Sequence, residues 1–216
     1  VLWILSCVFS NVASFRLNFT HEVKEFIEER NRTMEEGSID SWGFTNDYIY
    51  WKTNHSERPV NVTVGSMITG GCYPHHYSGP RKLDCTGYFS WSRHEGITCP
   101  FILKASTTVP VRYPGLTRKR VDLELNNLPV SPIHKIWGRP HSRKEENVFK
   151  TKCTFVVMLT FDGHIAYHVK NKEGKSSYSV VSVTALANGS VWFVEESGKL
   201  VYYFWGIYHE TMWCHE

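Results

Sequence analysis

The segment FVVMLTFDGHIAYHV, residues 155–169, contains two apolar runs that flank the pair Asp162-Gly163. β-Branched and aromatic residues are favoured in strands, and an Asx-Gly pair between two such runs is the strongest short-range indication of a hairpin. The pattern continues through turns at Glu173-Gly174, Asn188-Gly189 and Ser197-Gly198. It predicts an antiparallel meander with strands at Phe155–Phe161, His164–Val169, Tyr178–Leu186, Val191–Glu195 and Leu200–Tyr208.

The last of these runs, LVYYFWGIY at residues 200–208, is apolar on both faces. In a strand, Tyr202 and Phe204 project to one side while Tyr203 and Trp205 project to the other. A strand that is apolar on both faces is typical of the centre of a sandwich, where both faces are covered. We therefore predict a central β-sandwich strand here.

The rest of the chain adds short strands and one helix. The sequence predicts an amphipathic helix from Thr20 to Glu35, with Thr20 as N-cap and Gly37 after its end. Its charged face is expected to be solvated. Period-two alternation predicts the upstream strands Tyr48–Trp51, Val60–Val64, Tyr88–Trp91 and Val121–Leu125. The predicted fold class is mainly β, an antiparallel β-sandwich or meander with one N-terminal amphipathic helix.

Domain organisation is predicted from composition. Residues 15–216 are expected to form a single β-rich domain, with a possible internal boundary near residues 110–140, which contain five prolines. The tribasic run Arg118-Lys119-Arg120 could be a site of proteolytic processing. We favour its interpretation as the charged start of a strand, because the alternating segment Val121–Leu125 follows it directly.

The first fourteen residues, VLWILSCVFSNVAS, have the pattern of a signal peptide cleaved after Ser14, with small residues at Val12 and Ser14. The alternative is a buried N-terminal strand. No Lys or Arg precedes the apolar run, which suggests that the segment is internal to a longer precursor, as in viral polyproteins. We therefore expect a protein of the secretory pathway lumen that is secreted or displayed on a virion surface.

Potential N-glycosylation sites support this expectation. Asn-x-Ser/Thr sequons occur at five positions, against roughly two expected by chance, namely Asn18, Asn31, Asn54, Asn61 and Asn188. The sequence therefore predicts a secreted glycoprotein.

Cysteine spacing predicts disulfides rather than a metal site. Cys7 would leave with the signal peptide, and no C-x-x-C pair occurs among the cysteines that remain, Cys72, Cys85, Cys99, Cys153 and Cys214. We expect a local bond among Cys72, Cys85 and Cys99, together with a Cys153–Cys214 bond. The odd count leaves one thiol that is free, bonded to a partner chain, or bonded to a cysteine outside this segment.

Catalytic and metal-binding patterns are not found. His164 and His168 share one face of a predicted strand but lie about 13 Å apart at the usual rise, too far to share one metal ion. Neither histidine motif of the T2-type secretory ribonucleases is present, and His75, His94 and His209 are the remaining histidines that a nuclease could use. We predict no catalytic residues, metal or cofactor. A formal charge of +3 gives no case for a nucleic acid partner.

Aromatic residues indicate a binding function. The chain contains eight Trp, eleven Tyr and twelve Phe, and such rings supply large rigid contact areas. The candidate binding loop contains Tyr73, His75, His76 and Tyr77, which lie among Gly and Pro residues.

The expected function is that of a secreted or envelope-associated glycoprotein that binds a host receptor, glycan or immune protein, in the style of a viral surface glycoprotein. Two alternatives remain open. One is a secreted, nuclease-like hydrolase that uses histidines. The other is a structural envelope subunit that is homo-oligomeric or disulfide-linked to a partner.

Overall fold

The computed structural model describes residues 16–54, 56–73, 84–93, 96–113, 117–126, 133–137 and 147–215. The described chain is mainly β, with antiparallel sheets and one long helix near its N-terminus, as the alternating pattern predicts. The predicted signal peptide, residues 1–14, lies outside these ranges. Within them, no helix has the length and apolar character needed to cross a membrane.

Within the described residues, the main sheet has nine strands and is built around two long antiparallel neighbours. These are β10 (Asn147–Asp162) and β14 (Leu200–His215), paired from Asn147 opposite Cys214 to Phe161 opposite Leu200. One edge of β10 pairs with β3 (Asn61–Val64) and β4 (Ile68–Tyr73). Strand β14 also pairs with β5 (Asp84–Arg93) and β13 (Phe193–Val194). Strand β5 in turn pairs with β7 (Lys104–Tyr113) and β9 (Ile133–Trp137). Strand β8 (Thr117–Glu124) pairs with β7.

A second, three-stranded sheet has the order β12 (Ser176–Ser182), β11 (His164–Lys170), β2 (Ser38–Gly43). A short parallel pair joins β1 (Arg16–Asn18) to β6 (Gly96–Thr98). A 3₁₀ turn at Val183–Leu186 replaces the end of the predicted strand Tyr178–Leu186.

The predicted glycine turns connect strands in two different ways. Gly174 and Gly198 close the hairpins β11–β12 and β13–β14, as predicted. The turn at Gly163 instead carries the chain from β10 in one sheet to β11 in the other, so the predicted hairpin there is wrong. The predicted hairpin at Gly189 is wrong as well, because β12 and β13 on either side of it belong to different sheets. Gly163 has φ of 115°, and a side chain at this position would collide with the carbonyl of Pro59. This close approach and the left-handed conformation together explain why the corner requires glycine.

Helix α1 spans Phe19–Thr33 and begins one residue before the predicted N-cap. Asn18 is the N-cap, because its side-chain oxygen accepts a hydrogen bond from the backbone N–H of His21 at 3.3 Å. An Asn at this position satisfies one of the free N–H groups of the first turn. The helix buries Phe19, Val23 and Ile27 and exposes its charged residues except Glu22, which is half-buried, in agreement with the predicted solvated face.

The predicted strand Tyr48–Trp51 is wrong: the residues Ile49–Thr53 form a short helix, α2. The helical turn lets Trp51 enter the core, where its indole N–H donates to the carbonyl of Gly43 at 3.2 Å. Three other upstream predictions are confirmed, since β3, β5 and β8 overlap the predicted segments. Strand β8 also contains Arg118-Lys119-Arg120, so this basic run is the start of a strand.

The core joins both sheets to α1. Phe19 of α1 is fully buried and stacks on Phe161 of β10 at 4.8 Å between ring centroids. The rings of Trp192 and Phe44 pack edge-on against the Phe19 ring, at centroid distances of 5.7 and 5.2 Å. Rings in stacked and edge-to-face arrangements contribute beyond their buried area. This aromatic cluster therefore packs the first residue of α1 against β10.

Candidate binding surface

Only part of the predicted binding loop can be placed. The backbone of Tyr73 ends strand β4 and pairs with Lys152. His75, His76 and Tyr77 lie outside the described residues, as does His94.

All five sequon asparagines are exposed. The side-chain oxygen of Asn31 accepts a hydrogen bond from the backbone N–H of Ile39 at 2.7 Å, and that of Asn188 accepts one from Val191 at 3.0 Å. Asn61 lies on β3 opposite Asp162, at an edge of the main sheet. Each sequon is therefore positioned where a glycan would meet solvent, at Asn18, Asn31, Asn54, Asn61 and Asn188.

The disulfide pairing differs from the predicted one. Cys72 of β4 bonds to Cys153 of β10, and Cys99 is a half-buried free thiol. The predicted Cys153–Cys214 bond is wrong because the register sets Cys214 opposite Asn147, six residues along β10 and about 20 Å from Cys153 at the usual rise per residue. The predicted local bond is also wrong, because every pair among Cys72, Cys85 and Cys99 needs either Cys72, which is bonded to Cys153, or Cys99, which is free. The backbone of Cys214 lies opposite that of Cys85.

Burial raises the pKa of the Cys99 thiol. Its sulfur contacts the carbonyl of Phe101 and the side-chain oxygen of Asn126, each at 3.7 Å. A thiol with a raised pKa is a poor nucleophile, since the thiolate is the reactive form.

The histidines of β11 contact different carboxylates. His164 lies 3.4 Å from Glu57, whereas His168 lies 2.7 Å from Asp40. Asp40 is the extra residue of a β-bulge, because Val169 is opposite Ile39 and His168 is opposite Ser41. The bulge turns Asp40 toward His168, and this hydrogen bond is the main reason that the pKa of Asp40 is lowered. No group of three metal-ligating side chains is found in the described ranges.

His209 and Glu210 occupy opposite faces of β14. Burial and, secondarily, the charge of Lys152 lower the pKa of His209. Burial raises the pKa of Glu210 to about 7, although a hydrogen bond from the Tyr208 hydroxyl acts in the opposite direction. Glu210 therefore keeps a proton at pH values where an exposed glutamate has lost it.

This raised pKa predicts that Glu210 destabilises the fold as the pH rises. Between about pH 4.5 and 7 the unfolded chain ionises first, so stability falls, by about 3 kcal/mol in total. We expect Glu210→Gln to abolish this loss and to be more stable than the wild type at pH 8 but not at pH 4.5. Urea denaturation at both pH values measures the difference. The exposed Glu196→Gln is the control, and a constant difference between wild type and Glu210→Gln across this range would contradict the prediction.

The clearest candidate surface lies on the solvent side of the main sheet. Alternate residues of β10, including Phe155 and Val157, are buried, and their neighbours Val156 and Met158 face outward. Trp205 lies opposite Val156, and Tyr203 lies opposite Met158. Ile68 of β4 also lies opposite Val156, so the outward residues form rows across three strands. We call this surface the outer face, defined by Ile68, Val156, Met158, Phe193, Tyr203 and Trp205.

The outer face is exposed rather than covered by a second layer. Trp205, Tyr203 and Ile68 keep 48%, 41% and 66% of their surface accessible, so the prediction of a strand covered on both faces is wrong. The ring of Phe193 lies 6.4 Å from that of Tyr203 and extends the patch across β13. Contiguous exposed apolar surface of this kind marks interaction sites in soluble proteins.

The outer face has a basic end. Two rows beyond Trp205, Lys152 lies opposite His209, and Lys150 follows on the same side of β10. Both lysines are exposed. Sequence periodicity identified which residues share this side, but it could not show that the side is open to solvent.

The described fold and the outer face define the class of protein: an antiparallel β protein with a long helix and an exposed aromatic sheet face. No family model matches the chain, and no curated protein matches it. Solved structures similar to it include a non-toxic crystal protein from Bacillus thuringiensis, with TM-score 0.49, 10% identity, and coverage of 93% of this chain and 94% of that one.

Two further solved structures are less similar. The Cry23Aa1 and Cry37Aa1 binary protein complex superposes with TM-score 0.43 at 11% identity, covering 90% of this chain and 85% of the other. The β-pore-forming protein Mpp75Aa1.1 from Brevibacillus laterosporus gives TM-score 0.29 at 8% identity, covering 89% and 83%. These similarities are too distant to assign a function to this chain.

Proposed function

We propose that this chain is a secreted or envelope-associated glycoprotein that binds a protein on a cell surface through its outer face. The observation that carries the proposal is the exposure of Trp205 and Tyr203 in the middle of the main sheet. Trp and Tyr are the residues that most often dominate binding energy at protein interfaces. They are mounted on a regular strand, so little conformational entropy would be lost on binding.

Charge favours a partner with acidic groups beside an apolar centre. Lys150 and Lys152 lie at one end of the outer face, where they would meet the edge of a bound partner. Charges at the rim of an interface mainly steer association and fix orientation. The partner should therefore associate more slowly at high salt.

Two features support passage through the secretory pathway. The Cys72–Cys153 disulfide is of the kind that persists in oxidising compartments. The five sequon asparagines are exposed, which supports the proposal that they carry glycans.

The test is cell binding by the chain expressed in a glycosylating host, with glycosylation verified by the mass lost on glycosidase treatment. We expect Tyr203→Ser combined with Trp205→Ser to weaken binding at least tenfold. Ile102→Ser is the matched control, because Ile102 is 78% exposed but lies outside the outer face, in the loop before β7. Flow cytometry over a concentration series measures both.

Treatment of the cells separates the partner classes. Protease treatment is expected to remove binding, whereas enzymatic removal of cell-surface glycans should leave it. The reverse result, binding lost after glycan removal but kept after protease treatment, would show that the partner is a glycan and not a protein. Wild-type binding by the double variant would overturn the outer face as the contact surface.

A further inference from the structure

A cleft of about 450 Å³ lies between the end of α1 and the sheet β11–β12. Its floor is formed by Tyr167 and Val169 of β11, which lie directly opposite Ser179 and Ser177 of β12. Arg30 of α1 overhangs this floor. The volume is within the range of small-molecule sites, and a single sugar ring fits that size. The cleft is on the three-stranded sheet, so it is separate from the outer face.

Arg30 is held in one orientation. Its Nε donates a hydrogen bond to the hydroxyl of Tyr167 at 2.7 Å, and its guanidinium carbon lies 5.3 Å from the centre of the same ring. Tyr167 is itself buried, with 3% of its surface exposed. A cation that is fixed over a buried aromatic ring loses little side-chain freedom when it binds an anion.

The charge of Arg30 is not neutralised within the described residues. The adjacent Glu29 pairs with Arg32 at 2.6 Å, and Arg30 forms no ion pair in the described part of the chain. Its two Nη groups therefore retain donors that match the two oxygens of a carboxylate.

The remaining walls suit a sugar ring. Ser177 and Ser179 supply hydroxyls, each of which can donate and accept a hydrogen bond. Met34 and Val169 add apolar surface for the C–H groups of a ring. Thr33 donates its hydroxyl proton to the carbonyls of Glu29 and Arg30, so it can only accept from a ligand.

From these contacts we propose that the Arg30 cleft binds the carboxylate of an acidic sugar. The guanidinium takes the carboxylate through its Nη groups, while the serines and the apolar walls hold the ring. A single fixed cation suits a ligand group with one negative charge, and its planar fork matches the two oxygens of a carboxylate. The inference does not depend on the outer face and can fail without affecting it.

The test compares glucuronic acid with glucose, which differ in the carboxylate, by ligand-observed NMR titration of the full chain. We expect glucuronic acid to bind at least tenfold more tightly than glucose. Arg30→Gln should remove that preference, and Arg30→Lys, which keeps the charge but not the fork, should reduce it at least threefold. Lys172→Gln removes an exposed lysine in the turn between β11 and β12, outside the lining of the cleft, so it is the control and should bind as the wild type does.

Arg30→Gln also loses the hydrogen bond to Tyr167, so circular dichroism is used to check that each variant is folded. A folded Arg30→Lys variant with reduced preference supports the proposal even if Arg30→Gln unfolds. Equal binding of glucose and glucuronic acid, absence of binding by either, or wild-type behaviour of Arg30→Lys overturns it. Tighter binding of glucose 6-sulfate would also overturn the assignment to a carboxylate.

Discussion

Replacing Cys72 and Cys153 together by serine is expected to lower the free energy of unfolding by about 4 kcal/mol. The bond closes a loop with a sequence separation of 81 residues. Chain-entropy arguments give cross-links across long loops the larger stabilisation, because the unfolded chain loses more conformations. The bond also ties β4 to β10, the strand around which the main sheet is organised.

Urea denaturation of the double variant measures this loss. Cys99→Ser is the control, because Cys99 is free and serine can keep its contacts with Phe101 and Asn126. Its unfolding midpoint should stay close to that of the wild type. Equal midpoints for all three proteins would contradict the prediction.

Peptide mapping under non-reducing conditions tests the connectivity directly. It should recover the linked Cys72 and Cys153 peptides.

The second large effect is expected at the aromatic cluster beneath α1. Phe19→Ala should destabilise the protein by about 3–5 kcal/mol, because it removes a buried ring and leaves a cavity that its neighbours cannot fill. Phe19 has no exposed surface and meets Phe161, Phe44 and Trp192. The loss should also loosen α1, whose first residue is Phe19.

Phe193→Ala is the matched control for this substitution. Phe193 is 44% exposed and belongs to the outer face, so its removal should change stability by less than about 1 kcal/mol. Thermal or urea unfolding compares the two variants. A similar loss of stability in both would show that the cluster around Phe19 does not hold the helix.

Local patterns predicted several elements correctly. The alternation in Val121–Leu125 and the Gly174 and Gly198 turns predicted β8 and two hairpins, because such signals depend on neighbouring residues alone. The failures at Tyr48–Trp51 and Gly163 have a tertiary cause. Trp51 reaches the core only through a helical turn, and Gly163 turns the chain into another sheet against Pro59.

The candidate sites were harder to predict. A β-bulge places Asp40 beside His168, and a helix–sheet cleft places Arg30 beside Tyr167, residues separated by 137 positions. No local pattern encodes such distant proximity. The sequon at Asn31 and the exposed helix face were the only local indications that this end of α1 meets solvent.

Local sequence patterns are enough to predict that the chain is mainly β, that α1 is amphipathic, and that Tyr203 and Trp205 share one side of a strand. Each of these follows from the alternation of side chains along the backbone, a property of the local chain. Long-range packing establishes that this side is open to solvent, that Cys72 bonds to Cys153, and that Arg30 overhangs β11. These facts depend on strand register and on which layers pack together, which arise from contacts between residues far apart in sequence.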